Sequence, residues 1–161
     1  MILISACLLG YNCKYNGGNN LNPTLVELLK NHEIFPICPE QLGGLPTPRT
    51  PCEIKDSTGK NVLLGKGKVI SKEGEDFTRY FVQGAKKTLA QAIDNDIKTA
   101  ILKSKSPSCG VNMIYDGSFS GRLLPGAGVT TDLLRQAGVK VFNEKEGAEL
   151  ERESREADKK G

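Results

Sequence analysis

The sequence predicts an α/β protein: a single domain with a mostly parallel sheet of about four strands, flanking helices and a β-hairpin excursion. Three observations carry this. Short apolar runs at 2–5, 33–37, 97–103 and 139–142 alternate with helical patterns, the signature of βαβ units. Three of the runs lead into cysteines, Cys7, Cys38 and, through Ser-Pro-Ser-Cys-Gly at 106–110, Cys109. The chain has 161 residues, 38% hydrophobic and 25% charged, enough to bury one core without staples.

The run 2–5 reads as a buried strand that passes through Cys7 into a polar, glycine-rich loop carrying Cys13. Asn22 before Pro23 is an N-cap with proline at the first helical position. Leu25, Leu28 and Leu29 give that helix one apolar face up to about Asn31. His32 falls at its end, where a cation offsets the helix dipole. With the strand 33–37 these elements form a βαβ unit with a right-handed crossover. After Cys38-Pro39-Glu40, residues 41–51 hold three prolines and two adjacent glycines, an irregular segment expected to wrap a site.

The stretch 54–70 predicts a hairpin or small excursion, and Gly65-Lys66-Gly67-Lys68 lacks Walker spacing and reads as a turn. Phe77, Phe81, Ala85, Leu89, Ala92 and Ile93 recur at helical spacing, a long amphipathic helix reaching about Asp94. A third strand covers 97–103. Residues 113–121 form a short ribbon around Asp116-Gly117. Thr130 or Thr131 caps a helix through Leu133 and Leu134 closed by Gly138, and 139–142 is the fourth strand. The domain therefore spans 1–143. Residues 144–161 are a charged C-terminal tail, a solvated or frayed helix with Leu150 as its one large apolar residue.

Composition narrows the function. A net charge of +3 on scattered basic residues gives no dedicated nucleic-acid surface. No apolar stretch approaches the ~20 residues that cross a bilayer, and the start has no basic lead-in or full signal core, so no membrane association and a cytoplasmic location are expected. A monomer or small homo-oligomer is expected. Five cysteines, an odd number in a reducing compartment, argue for metal or reactive thiols over a disulfide framework. With a single histidine, a His-rich metal site or a Ser-His-Asp triad is poorly supported.

In a parallel sheet the loops after the strands' carboxyl ends meet at one edge, where ligands bind. Cys7, Cys38 and Cys109 belong there, with Cys13 beside Cys7. Thiolates suit zinc, copper(I) or an iron-sulfur cluster, and the absence of Cys-x-x-Cys pairs speaks against a zinc ribbon. Cys52, among prolines, is a spare thiol. A cluster on three cysteines leaves one iron without a protein ligand. Glu40 is then a candidate general base or proton shuttle, and Ser106 or Ser108 a candidate to orient substrate or water. Arg49 points at a substrate carbonyl or at Glu40, and Gly43 and Gly44 are candidate substrate contacts in the wrapping segment.

Ser-Ala-Cys-Leu-Leu-Gly at 5–10, Cys13 with Tyr15, Cys-Pro-Glu at 38–40, Gly-Gly-Leu-Pro at 43–46, Pro48-Arg49 and Ser-Pro-Ser-Cys-Gly at 106–110 together resemble the thiouracil desulfurase (TudS-like) family. So do Ile-Tyr-Asp-Gly at 114–117 and Gly128-Val129. The resemblance runs to about Phe142; Cys52 and the tail lie outside it. It implies an α/β domain with a 4Fe-4S cluster on three cysteines, drawn from Cys7, Cys38, Cys109 and Cys13, with the first three favoured. It also implies a C–S hydrolase that replaces the sulfur of a thiolated pyrimidine by water without net redox change, acting on a small-molecule base or nucleoside. Two other readings compete: a non-catalytic cysteine-metal module, and a redox protein with a reversible Cys7–Cys13 disulfide.

Overall fold

Strand β1 (Ile2–Ser5) is buried at every position. In the computed structural model, which describes residues 1–160, it lies inside a four-stranded parallel sheet. Its neighbours are β2 (Ile34–Ile37) and β5 (Thr99–Ile101), with β8 (Lys140–Phe142) beyond β5. Leu3 pairs in register with Phe35 on one side and Ala100 on the other, and Ala100 with Val141. From β1 the chain first adds β2 on one side and then crosses to add β5 on the other, a reversal of strand order that opens a crevice at the strands' carboxyl ends.

Alternation along β1 sends its side chains into two cores. Leu3 joins Ala92, Leu102, Leu134 and Val141 under α4 (Thr78–Asp94) and α5 (Val129–Gln136). Ile2 and Ile4 join Leu25, Leu28 and Ala148 under α1 (Pro23–Leu28) and α6 (Glu144–Lys160). Truncating a fully buried leucine such as Leu3 costs about 2–5 kcal/mol.

A third core gathers Ile54, Val62, Val69, Phe81 and Ile114 beneath two antiparallel ribbons. One pairs β3 (Cys52–Ile54) with β4 (Val69–Ser71), and the other pairs β6 (Met113–Tyr115) with β7 (Leu123–Pro125). The excursion is thus a hairpin, but its connection holds a helical turn, α3 (Gly59–Leu63).

Several local expectations change. The first helix ends at Leu28, short of Asn31. Residues Pro39–Leu42 form a one-turn helix, α2, with proline in its first turn, so Gln41 and Leu42 are regular where an irregular segment was expected. Ile93 is 67% exposed and leaves the apolar face of α4. Thr130 and Thr131 do not cap α5; both are buried within it and Gly128 takes the cap position, while Gly138 follows the helix at φ 89° as expected.

The tail folds back onto the domain as α6. Arg155 Nη2 donates to the carbonyls of Glu27 and Leu28, each at 2.9 Å. Arg155 therefore supplies the cation at the end of α1 that the sequence assigns to His32, while His32 Nε2 meets Glu151 Oε2 at 2.8 Å.

Candidate active site

At the carboxyl edge of the sheet lies a cavity of about 500 Å³, whose wall includes Cys7, Cys13, Cys38, Cys109, Glu40 and Ser108. Each cysteine arrives on a different device. Cys7 lies in a 3-10 turn (Ala6–Leu9) directly after β1. Cys38 is the N-cap residue of α2. Cys109 sits in a turn held by one hydroxyl: Ser106 Oγ accepts the amides of Ser108 and Cys109, each at 3.1 Å. Thr131 Oγ1 then donates to the Cys109 carbonyl at 2.8 Å, tying the turn to α5.

The thiols differ in character. Hydrogen bonding from Cys13 brings Cys7 down to about 7 against the opposing effect of burial. The same thiol, again against burial, brings Cys38 to about 7. Cys13 is pushed up because its proton is shared between Cys38 and Cys7. Burial pushes Cys109 up. Cys52 also lines the cavity, and burial raises its thiol to about 12. Asn20 Nδ2 donates to Cys7 Sγ at 3.4 Å.

Glu40 projects from the first turn of α2 with its side chain 13% exposed, paired to Arg49 at 6%. Arg49 Nε donates to Glu40 Oε2 at 2.7 Å, Nη2 to the Cys13 carbonyl at 2.8 Å and Nη1 to Thr47 Oγ1 at 2.9 Å. Of the two targets read from the sequence, Arg49 meets Glu40, and each of its side-chain nitrogens is engaged in the wall. The other carboxylate oxygen, Oε1, accepts from Ser108 Oγ at 3.0 Å. Ser106 Oγ lies 2.9 Å from Ser108 Oγ. Since Ser108 donates to Glu40 and Ser106 already accepts two amides, the proton of Ser106 points to Ser108, giving a directed chain Ser106, Ser108, Glu40.

Gly43 and Gly44 are not among the cavity's lining residues. Gly43 lies where α2 crosses α4: a Cβ there would sit 2.0 Å from the Tyr80 carbonyl oxygen, and one on Gly84 2.1 Å from that of Pro39. These glycines bring the helix bearing Glu40 against α4. The sequence reading missed Gly84, Asn20 and Thr131, and also Lys103, Glu53, Tyr115 and Phe119, which line the cavity. Ile-Tyr-Asp-Gly at 114–117 was the signal for Tyr115, and Phe119 lies two residues beyond it.

The donor set is thiol-rich and distributed. Five cysteines line one cavity, Cys52 from β3 and the other four from separate turns and loops, and thiolates are ligands for soft metals. Among the described residues no three Cys, His, Asp or Glu side chains converge as a single bound ion requires. Such a set fits a polynuclear iron-sulfur group, bound one thiolate to an iron, better than a lone ion.

Fold and site together define a class: an α/β protein with a thiol-lined cavity and a clamped carboxylate at the carboxyl edge of a parallel sheet. The chain belongs to the 2-thiouracil desulfurase family, whose profile matches residues 2–146. It is 46% identical over 146 residues to the uncharacterized protein YbbK of Bacillus subtilis, covering 91% of this chain and 97% of YbbK. Its fold is similar to the solved structure of the [4Fe-4S]-dependent thiouracil desulfidase TudS. There the TM-score is 0.77 and the identity 39%, over 89% of this chain and 90% of that one.

Proposed function

We propose that the protein is a desulfidase acting on small thiolated pyrimidines, with a 4Fe-4S cluster held by Cys7, Cys38 and Cys109. The observation that carries this reading is Glu40, fixed between Arg49 and Ser108 in the wall of a cavity lined by five cysteines. When bound, the cluster supplies a thiophilic Lewis acid with one iron free of protein ligands. The overall change exchanges C=S and water for C=O and hydrogen sulfide, with no net electron transfer.

The chain's own residues have separable tasks. Glu40 is the general base that takes a proton from the attacking water. Arg49 orients that carboxylate, its Nε donating to Oε2. Ser108 and Ser106 form a hydroxyl relay along which a proton reaches or leaves Glu40 Oε1. Cys13, whose carbonyl is held by Arg49, serves as a neighbouring thiol donor. Free thiols kept for metal suit a reducing compartment, the cytoplasm. Among the described residues no helix is long and apolar enough to cross a membrane.

The test is anaerobic reconstitution with iron and sulfide, followed by iron analysis and sulfide-release assays on 2-thiouracil and 4-thiouracil. About four iron atoms per chain and sulfide release together are expected. Iron binding without sulfide release would support a non-catalytic cysteine-metal module, and activity that Glu40→Gln leaves untouched would point to a different base. Desulfuration by iron-free protein would overturn the proposal.

A further inference from the structure

The cavity wall includes Glu53, Tyr115 and Phe119, residues outside the hydrogen-bond network around Glu40. Phe119, half-buried, adopts φ 56°, a left-handed conformation that is uncommon for a bulky side chain and persists only where the surroundings fix it. The surroundings do so here. Glu53 Oε1 accepts the amides of Gly117 at 3.0 Å and Phe119 at 3.1 Å. The amide of Asp56 donates to the Asp116 carbonyl at 2.9 Å. Gly117 packs so tightly on this segment that a Cβ would lie 2.6 Å from Lys55 Cα. A buttressed loop thus places an aromatic side chain in a cavity wall.

We propose that Phe119 is a stacking face that selects planar heteroaromatic rings over saturated analogues, and that Glu53 is the positioning residue that holds it there. The proposal rests on the desulfidase reading for the identity of the ring. An aromatic face stabilises any flat π-system and discriminates poorly among bases, but it loses contact with a puckered ring. The pair that isolates this effect is uracil and 5,6-dihydrouracil, which share their carbonyl and N–H groups and differ in planarity.

Binding of both compounds to protein purified anaerobically, measured by calorimetry, tests it. Wild type should bind uracil about tenfold more tightly than dihydrouracil. Phe119→Leu, which keeps apolar bulk, should bring the two affinities together, and Phe119→Tyr should restore the difference. Glu53→Ala should act like Phe119→Leu, whereas Glu53→Gln, whose carbonyl oxygen still accepts both amides, should not. In turnover, Phe119→Leu should raise KM for 2-thiouracil about tenfold with kcat little changed. Equal affinities in wild type, or a preference surviving in Phe119→Leu, would overturn the stacking role. A preference surviving in Glu53→Ala would overturn the positioning role. A uracil preference without sulfide release would instead count against the desulfidase reading, because binding is read without turnover.

Discussion

Ser108 donates a 3.0 Å hydrogen bond to Oε1 of Glu40, across 68 positions of chain. The contact joins the turn that carries Cys109 to the helix that follows Cys38, so the two cysteine turns share one carboxylate. If that carboxylate is the base, Glu40→Gln keeps its shape and loses its basicity. Turnover should fall about 10²- to 10⁴-fold while iron content and KM stay near wild type. Steady-state kinetics on reconstituted protein check this; a kcat within threefold of wild type would remove Glu40 from the mechanism.

Ser108 and Ser106 should separate in mutation. Ser108→Ala removes the donor to Glu40 but leaves the turn's amides on Ser106 Oγ, so a drop in kcat of about tenfold with intact cluster is expected. Ser106→Ala frees the amides of both Ser108 and Cys109. Its effect should therefore include iron loss, read as a lower iron-to-protein ratio after gel filtration.

Arg49 is the clasp between Glu40 and the loop bearing Cys13. Arg49→Met leaves Glu40 without its buried countercharge, and a loss of about 3–5 kcal/mol in folding stability is expected, measured by urea unfolding. Arg49→Lys retains a charge but not the planar fork. It should recover part of that stability while leaving the Cys13 carbonyl unheld. Faster tryptic cleavage after Lys14 would report the release, and an unchanged cleavage rate would count against the clasp.

The fold was legible where local pattern and global architecture agree. Apolar runs bounded by turn residues marked the parallel strands, and three strand-end cysteines pointed to the cavity before any contact was known. The clustering of Glu40 with Ser108 was legible as two separate candidates, because proximity to cysteine marked each. Their hydrogen bond was not, since it depends on how β1, β2 and β5 stack in register. Gly43 illustrates the same limit. Glycine pairs suggest a ligand-hugging loop, yet this glycine permits backbone contact with Tyr80 on α4, a tertiary fact that composition does not encode. The tail was opaque for a related reason: its docking depends on polar anchors, Arg155 on α1 carbonyls and Glu144 on Ser104, and little on an apolar stripe.

Glu144 supplies a pH-dependent anchor for that tail. Its carboxylate accepts from the Ser104 amide at 2.9 Å and hydroxyl at 2.6 Å, and Lys103 Nζ lies 3.6 Å away. Burial raises its pKa, but the Ser104 bonds and the Lys103 charge outweigh burial and leave it below the ordinary glutamate range. A carboxyl depressed by folding is bound by fewer protons in the native than in the unfolded state. Its stabilisation is therefore full above the unfolded value and is lost as pH falls through the native one. Glu144→Gln should cost about 1 kcal/mol near neutral pH, and the gap from wild type should narrow as pH falls below about 4. Other surface carboxylates titrate in both proteins, so the difference between their unfolding curves isolates this one. A gap that stays constant with pH would mean that α6 is held without Glu144's charge.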